Sequence, residues 1–431
     1  MPLSAPQPDG RLADTVAQAL GVPAVRLEVH PGGGSRAAYR VQIAGEDHAT
    51  AFLRLDDGNS GMSGTEFDLR READLLRRIR SLGLPVPEVL ATIDDPPATV
   101  MELVPGTERL DRETAEAVGE ELMGLVARIH AVDTAGLPFD RPATTTEAVD
   151  ADLAWWTARV TATDLQDVPL VRLAGRVLAT TRPDVPAPPG LVHGDLGPGN
   201  FLVHERRVSA ILDWEMAHVG DPHEDLAWLW IRGAHSELGD PQRRFAEYER
   251  AAGRPVDHAR LDWHVAFVTY KTVVALRAGL GRPGGGGRLV LVQHVLCTVY
   301  EALLGSALAR LCGTALPLLE ETPEASVTAT ARLVGRLSEL TPRDDREVGI
   351  ILDHLHAAAS HCDWERRRHH EDLRSELGLA PDEVLAAIDS TDPAELAPLV
   401  RAVGRSADRA CHALPAAVRR VRRAQAIGLG L

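Results

Sequence analysis

His193-Gly194-Asp195-Leu196-Gly197-Pro198-Gly199-Asn200, running on through Phe201-Leu202-Val203 to Asp213-Trp214-Glu215, is the stretch that decides the reading of this 431-residue chain. Residues 201–203 and 208–212 are short apolar runs around the polar turn His204–Arg207, the pattern of a hairpin. Centring the hairpin on that turn sets Asn200 opposite Ile211. Ile211 and Asp213 then share a strand face, so Asn200 and Asp213 become diagonal neighbours about 7–8 Å apart at Cα. Oxygens on these side chains can share one hard cation, because Mg²⁺ takes a few protein oxygens at about 2.1 Å and leaves its other positions to phosphates. Asp195 stands five positions before Asn200 on a loop shaped by glycine and proline, within reach of an incoming hydroxyl. A carboxylate to accept a proton, with an Asn and a second Asp to hold Mg²⁺, meets the needs of phosphoryl transfer. Polar residues that merely close a hairpin would account for Asp195 alone, but not for all three groups at these spacings.

Upstream, residues 11–20 have helical spacing. VRLEVH (25–30), a PGGGS turn (31–35) and AAYRVQI (37–43) read as two strands around a glycine-rich hairpin, with ATAFLRL (49–55) as a third strand. In Gly32, Gly33, Gly34 and Ser35 the exposed backbone N–H groups can cover phosphates. Leu69, Ala73, Leu76 and Ile79 fall at helical spacing, and PVPEVLATID and ATVMELV follow as strands. This α+β lobe closes near Pro105-Gly106.

Downstream, residues 107–190 read as mainly helical, and helices dominate again from 222 to about 338, interrupted by the glycine cluster at 283–287. From about 340 the chain turns to polar amphipathic helices. In STDPAELAPLVRAV (390–403), Ser390 or Thr391 can cap a helix, with Pro393 in its first turn. The expected divisions are therefore 1–106, a nucleotide-binding lobe; 107–338, a mainly helical catalytic lobe; and 339–431, an accessory helical domain.

The string HGDLGPGN…ILDWE…GDPHEDLAWL resembles the aminoglycoside phosphotransferase family, with its HGDxxxxN loop and its metal strand ending in Asp. It is most similar to the branch of kinase-like domains linked with acyl-CoA dehydrogenases, over about residues 20–335. The resemblance implies an α+β, two-lobed protein-kinase-like fold with ATP in the cleft, here with an appended C-terminal helical bundle. It implies Asp195 as catalytic base and Asn200 and Asp213 as Mg²⁺ ligands. Kinase-like folds place a lysine on the third strand, paired with a helix glutamate. The matching pair here is Arg54 and Glu72, with Arg40 as the alternative cation. Met101–Gly106 resembles the inter-lobe hinge, which makes Glu102 and Val104 the backbone contacts for adenine. Many members also carry a basic residue inside the catalytic loop, where this chain has Gly197 and Gly199. Asp225 matches the family residue that braces that loop. Glu215 reads equally as a substrate or second-metal contact and as a surface glutamate.

Composition narrows the partners. A formal net charge of −16 argues against non-specific nucleic-acid binding, which needs a basic surface. It leaves room for a local cationic pocket, since 46 basic residues remain. Lys271 is the sole lysine, so work usually done by lysine falls to arginine. The four cysteines are widely spaced, which fits a reducing compartment. The start, MPLSAPQPDG, has neither a basic n-region nor an apolar h-region, and no run approaches the roughly 18 apolar residues of a membrane span. A cytoplasmic enzyme is expected, acting on a small hydroxylated substrate with ATP and Mg²⁺. The alternatives are a nucleotide-binding pseudokinase and a scaffold that recruits a partner through its C-terminal helices.

Overall fold

The computed structural model describes residues 10–30, 36–58, 67–108, 110–233, 238–280, 287–316, 361 and 364–412. The Gly32–Ser35 turn, residues 283–286 and the expected division at 338/339 lie outside the described residues. Contacts divide the chain into two compact units: Met1–Ala148 with Val185–Val256, and Val149–Asp184 with Asp257–Leu431.

The first unit is built on a five-stranded antiparallel sheet of order β1-β2-β3-β5-β4. Its strands are β1 (Val25–Val29), β2 (Ala37–Ile43), β3 (Ala51–Leu55), β4 (Val89–Asp94) and β5 (Pro97–Glu102). Alternation along β3 sets the design. Ala51, Leu53 and Leu55 are buried with Tyr39, Val41, Val100 and, from helix α1 (Gly10–Leu20), Leu12 and Val16. Burial of each large side chain in this layer contributes about 1.5–3 kcal/mol. The same period of two turns Arg54 to the other face, opposite Thr99 of β5, where helix α2 (Leu69–Ser81) packs. Asp68 caps α2 by accepting from the Arg71 N–H at 2.7 Å. Leu69, Ala73, Leu76 and Ile79 form its buried stripe, and Glu72, in its first turn, is buried among them.

The remainder of this unit positions the HGD loop. Helix α3 (Arg112–His130) precedes the two-stranded ladder of β6 (Gly190–Val192) and β9 (His218–Gly220). Between those strands lies the hairpin of β7 (Phe201–His204) and β8 (Arg207–Ile211). Helices α6 (His223–Gly233) and α7 (Pro241–Ala252) follow; helix α4 (Thr145–Thr161), from Val149 on, and helix α5 (Pro169–Thr180) belong to the second unit.

The hairpin register differs from the expected one. His204 pairs with Arg207 and Val203 with Val208, but Leu202 then pairs with Ala210 and Phe201 with Ile211. The extra residue is Ser209, a bulge whose hydroxyl donates to the Pro105 carbonyl at 2.8 Å. Asn200 therefore faces Leu212 rather than Ile211, and its carbonyl accepts from the Leu212 N–H at 2.8 Å.

The second unit is helical. Helix α8 (His258–Leu280) packs on α9 (Gly287–Leu311), and α9 on the helix Ala397–His412. Gly305 and Gly404 lie at that crossing, where a Cβ on Gly305 would stand 2.9 Å from the Gly404 Cα. The cap near residue 390 is also corrected. Asp392, not Ser390 or Thr391, accepts from the Ala394 N–H at 2.9 Å and opens a 3₁₀ turn, Pro393–Glu395. Thr391 instead turns its hydroxyl back to the Ala387 carbonyl at 2.7 Å. Among the described residues no helix is long and apolar enough to cross a membrane.

Candidate active site

Beyond Val192 the chain leaves the β6 ladder, and its next two N–H groups need acceptors in a buried place. Asp225, fully buried on α6, supplies both: Oδ2 accepts from His193 at 2.9 Å and Oδ1 from Gly194 at 3.0 Å. His130 stands 3.1 Å from Asp225 Oδ2 and 2.8 Å from the Tyr248 hydroxyl, so α3, α6 and α7 brace one carboxylate. Gly194 has φ +83°, and a Cβ there would lie 2.4 Å from the Met216 carbonyl oxygen. Glycine at 194 is thus a steric requirement. The His193 Nε2 lies 2.8 Å from the Leu212 carbonyl, which only accepts, so Nε2 carries the proton. Nδ1 is then free to accept from the Asp195 N–H at 3.3 Å.

The loop brings Asp195 and Asn200 together. The Asn200 amide donates to the Asp195 carbonyl at 2.7 Å and to its Oδ2 at 2.8 Å. On the other side Arg232 donates to the same carbonyl at 3.0 Å and to Oδ1 at 2.5 Å. The Asp195 side chain keeps 30% of its surface exposed. Burial nevertheless raises its pKa above the usual carboxylate value; Arg232 opposes that shift and Asp213 adds to it.

Asp213 follows β8 in the left-handed region, at φ 63° and ψ 58°, and opens the 3₁₀ turn Trp214–Met216. Its side chain is 35% exposed, and Oδ1 accepts from Arg54 Nη2 at 2.8 Å. Arg54 also binds Glu72 at 2.7 Å and Glu215 at 3.1 Å, whereas Arg40 is exposed on β2 opposite Phe52. The expected pair is thus Arg54 with Glu72. Burial works against the Arg54 charge, but Glu72, Asp213 and Glu215 outweigh it and raise the guanidinium pKa. Glu72 is pushed up to about 7, chiefly by burial; Arg54 opposes this, and Asp213 and Glu215 reinforce it. The Trp214 N–H donates to the same Glu72 oxygen at 3.2 Å.

Arg36 completes the cluster and was not foreseen. Its side chain is 1% exposed and reaches Asp56 at 3.1 Å, Glu215 at 3.2 Å and the Phe67 carbonyl at 2.6 Å. Glu215 is therefore held between two arginines. Glu102 ends β5 opposite Ala51, with its N–H on the Glu88 carbonyl at 2.8 Å, and Val104 is half-buried just beyond. Arg232 was likewise missed, because nothing in the sequence links it to a loop some thirty residues away. The signal was indirect: two glycines, Gly197 and Gly199, leave room for a side chain from elsewhere.

A phosphotransferase enzyme family model, APH, matches residues 26–264. The chain belongs to this APH phosphotransferase family. Viomycin phosphotransferase of Streptomyces vinaceus is 31% identical over 234 residues, covering 49% of this chain and 75% of that protein. Acyl-CoA dehydrogenase family member 10 of Mus musculus is 26% identical over 206 residues, which is 43% of this chain. The match spans only 19% of that relative's length. A thermostable mutant of aminoglycoside phosphotransferase APH(4)-Ia in its apo form shares the fold at a TM-score of 0.52 and 18% identity, covering 70% of this chain and all of that one. The expected α+β kinase-like fold is thus borne out.

As an APH-family site, the loop offers a hard-oxygen donor pair. The Asn200 amide nitrogen donates to Asp195, which leaves Oδ1 as the atom that could take a cation. Asp213 offers a part-exposed carboxylate on the adjoining turn. Oxygen donors of this kind suit Mg²⁺ better than a softer metal.

Proposed function

We propose that this APH-family chain is a Mg²⁺- and ATP-dependent phosphotransferase acting on a hydroxyl of a small molecule. The observation that carries the reading is the clamped Asp195 carboxylate, held next to Asn200 and the Asp213 turn. Asp195 accepts the acceptor's hydroxyl proton as that oxygen bonds to the γ-phosphorus. The bond from the γ-phosphorus to the β,γ-bridging oxygen breaks, and ADP leaves with the electron pair. Asn200 and Asp213 would hold Mg²⁺, which would supply neutralisation of phosphate charge. Arg54 is proposed as the phosphate-facing cation, kept in place by Glu72. On sequence alone the segment Gly32, Gly33, Gly34, Ser35 is assigned to the phosphates, and the backbone at Glu102 and Val104 is assigned to adenine. A cytoplasmic location fits this use of ATP.

The intact set of Asp195, Asn200 and Asp213 favours catalysis over a nucleotide-binding pseudokinase. The test is Mg²⁺-dependent ADP release against pooled hydroxylated metabolites. Stimulation by one pool supports the reading. ATP binding without ADP release in any pool favours the pseudokinase.

A further inference from the structure

Arg232 closes the last turn of α6, and its guanidinium enters the HGD loop from behind. Nη1 donates to both the carbonyl and Oδ1 of Asp195, at 3.0 and 2.5 Å, and Nη2 donates to the Pro198 carbonyl at 3.0 Å. The space it occupies exists because residue 197 lacks a side chain. A Cβ on Gly197 would stand 2.7 Å from Arg232 Cδ and 2.8 Å from its Cβ. A Cβ on Gly199 would stand 3.3 Å from Nη2.

Asp195 is therefore gripped twice in the same manner. Arg232 holds its carbonyl and Oδ1, and Asn200 holds its carbonyl and Oδ2. Two such clamps fix both side-chain torsions, because each ties a carboxylate oxygen to the backbone of its own residue. Helix α6 supplies the frame. Asp225, in its first turn, accepts from the N–H groups of His193 and Gly194, and Arg232, two turns on, donates to the carbonyls of Asp195 and Pro198. Seven residues separate Asp225 from Arg232, which puts them on one face of a helix. The cation also sits at the helix end where positive charge is favoured.

We infer that Arg232 is a positioning residue that sets the carboxylate of Asp195 for proton acceptance, and that it acts as a unit with Gly197. The inference rests on the proposed role of Asp195. Its orienting effect comes from a planar fork with several donors, which one ammonium group cannot reproduce.

The experiment measures ADP release from Mg²⁺–ATP with the stimulating acceptor pool, across Arg232→Ala, Arg232→Lys, Gly197→Ala and Asp195→Asn. For Arg232→Ala we expect kcat to fall about 100-fold with KM for ATP changed less than about 3-fold, the pattern of a misplaced group. Guanidinium chloride at millimolar concentration should return about tenfold of that loss in Arg232→Ala and nothing in Arg232→Lys. Gly197→Ala should reproduce the loss, because its methyl group would meet Arg232 at Cβ and Cδ. If Arg232→Ala does not fold, Arg232→Lys decides, with an expected fall of about tenfold in kcat. Wild-type kcat in Arg232→Lys, or in Gly197→Ala, overturns the inference. Turnover abolished in Asp195→Asn but retained in Arg232→Ala overturns the role of Arg232 alone. Turnover retained in Asp195→Asn removes the assignment of Asp195, and this inference with it.

Discussion

Arg54 Nη2 donates to Asp213 Oδ1 at 2.8 Å, tying the third strand of the sheet to the turn that follows the β7–β8 hairpin. The same guanidinium reaches Glu72 and Glu215, so one fork serves three carboxylates from two segments, helix α2 and the turn at 213–216. Removing the cation leaves Glu72, only 5% exposed, without its charge partner. Arg54→Met is expected to lose about 3 kcal/mol of stability, because a buried charge is left unpaired. Arg54→Lys keeps the charge but not the fork, and should lose about 1–2 kcal/mol. Urea denaturation of the three proteins checks the order; equal midpoints would contradict it.

The raised pKa of Glu72 makes a statement about pH. Its folded value of about 7 lies above the ordinary 4.5, so between those values the folded state binds more protons than the unfolded one. Stability contributed by this group must then fall as pH rises from 4.5 to 7. Glu72→Gln removes the titration and should flatten the dependence of Tm on pH across that window. The variant should also gain relative to wild type at pH 8. A Tm profile parallel to wild type would refute the assignment.

The Asp225 carboxylate accounts for two buried backbone donors at once. Asp225→Ala strands both, at about 1–3 kcal/mol for each unsatisfied group. We expect Tm to fall by several degrees and ADP release to be lost before the chain unfolds. Activity at wild-type level in the folded variant would show that the loop does not depend on this brace.

At Gly194 the constraint is steric. A methyl group there would press on the Met216 carbonyl at a positive φ, and a backbone carbonyl cannot swing aside as a flexible side chain would. Gly194→Ala should yield little soluble protein, or a protein without turnover. Gly253, also at positive φ but with nothing within 4 Å of its added Cβ, is the control. Gly253→Ala should cost only about 1 kcal/mol. Equal yields and Tm values for the two variants would contradict the argument.

Much of this was legible because it follows local periodicities. Leu53, Arg54 and Leu55 alternate, which forces Arg54 away from the core and toward α2. Glu72 is buried although it sits among charged neighbours, and it was legible only through the resemblance to kinase-like folds, which pair a strand cation with a helix glutamate. The hairpin register was misjudged by one residue because the turn does not reveal its bulge. Glu205 and Arg206 take positive φ values of 47° and 62° without the Asn-Gly signature of such turns. Ser209 is extruded by its bond to Pro105, a partner more than a hundred residues away. Arg36 and Arg232 were missed for the same reason. A guanidinium that serves distant acceptors leaves no mark at its own position, only an absence of bulk where it arrives.

The most direct test of the account concerns Asp195 itself. Asp195→Asn removes the proton acceptor while retaining an oxygen that can still face Arg232 or Asn200. Transfer of the γ-phosphoryl group from labelled ATP to the acceptor pool should fall by at least about 1,000-fold. Binding of Mg²⁺–ATP, measured by calorimetry, should stay within about threefold of wild type. Transfer within tenfold of wild type in a folded, nucleotide-binding Asp195→Asn protein would contradict the central claim.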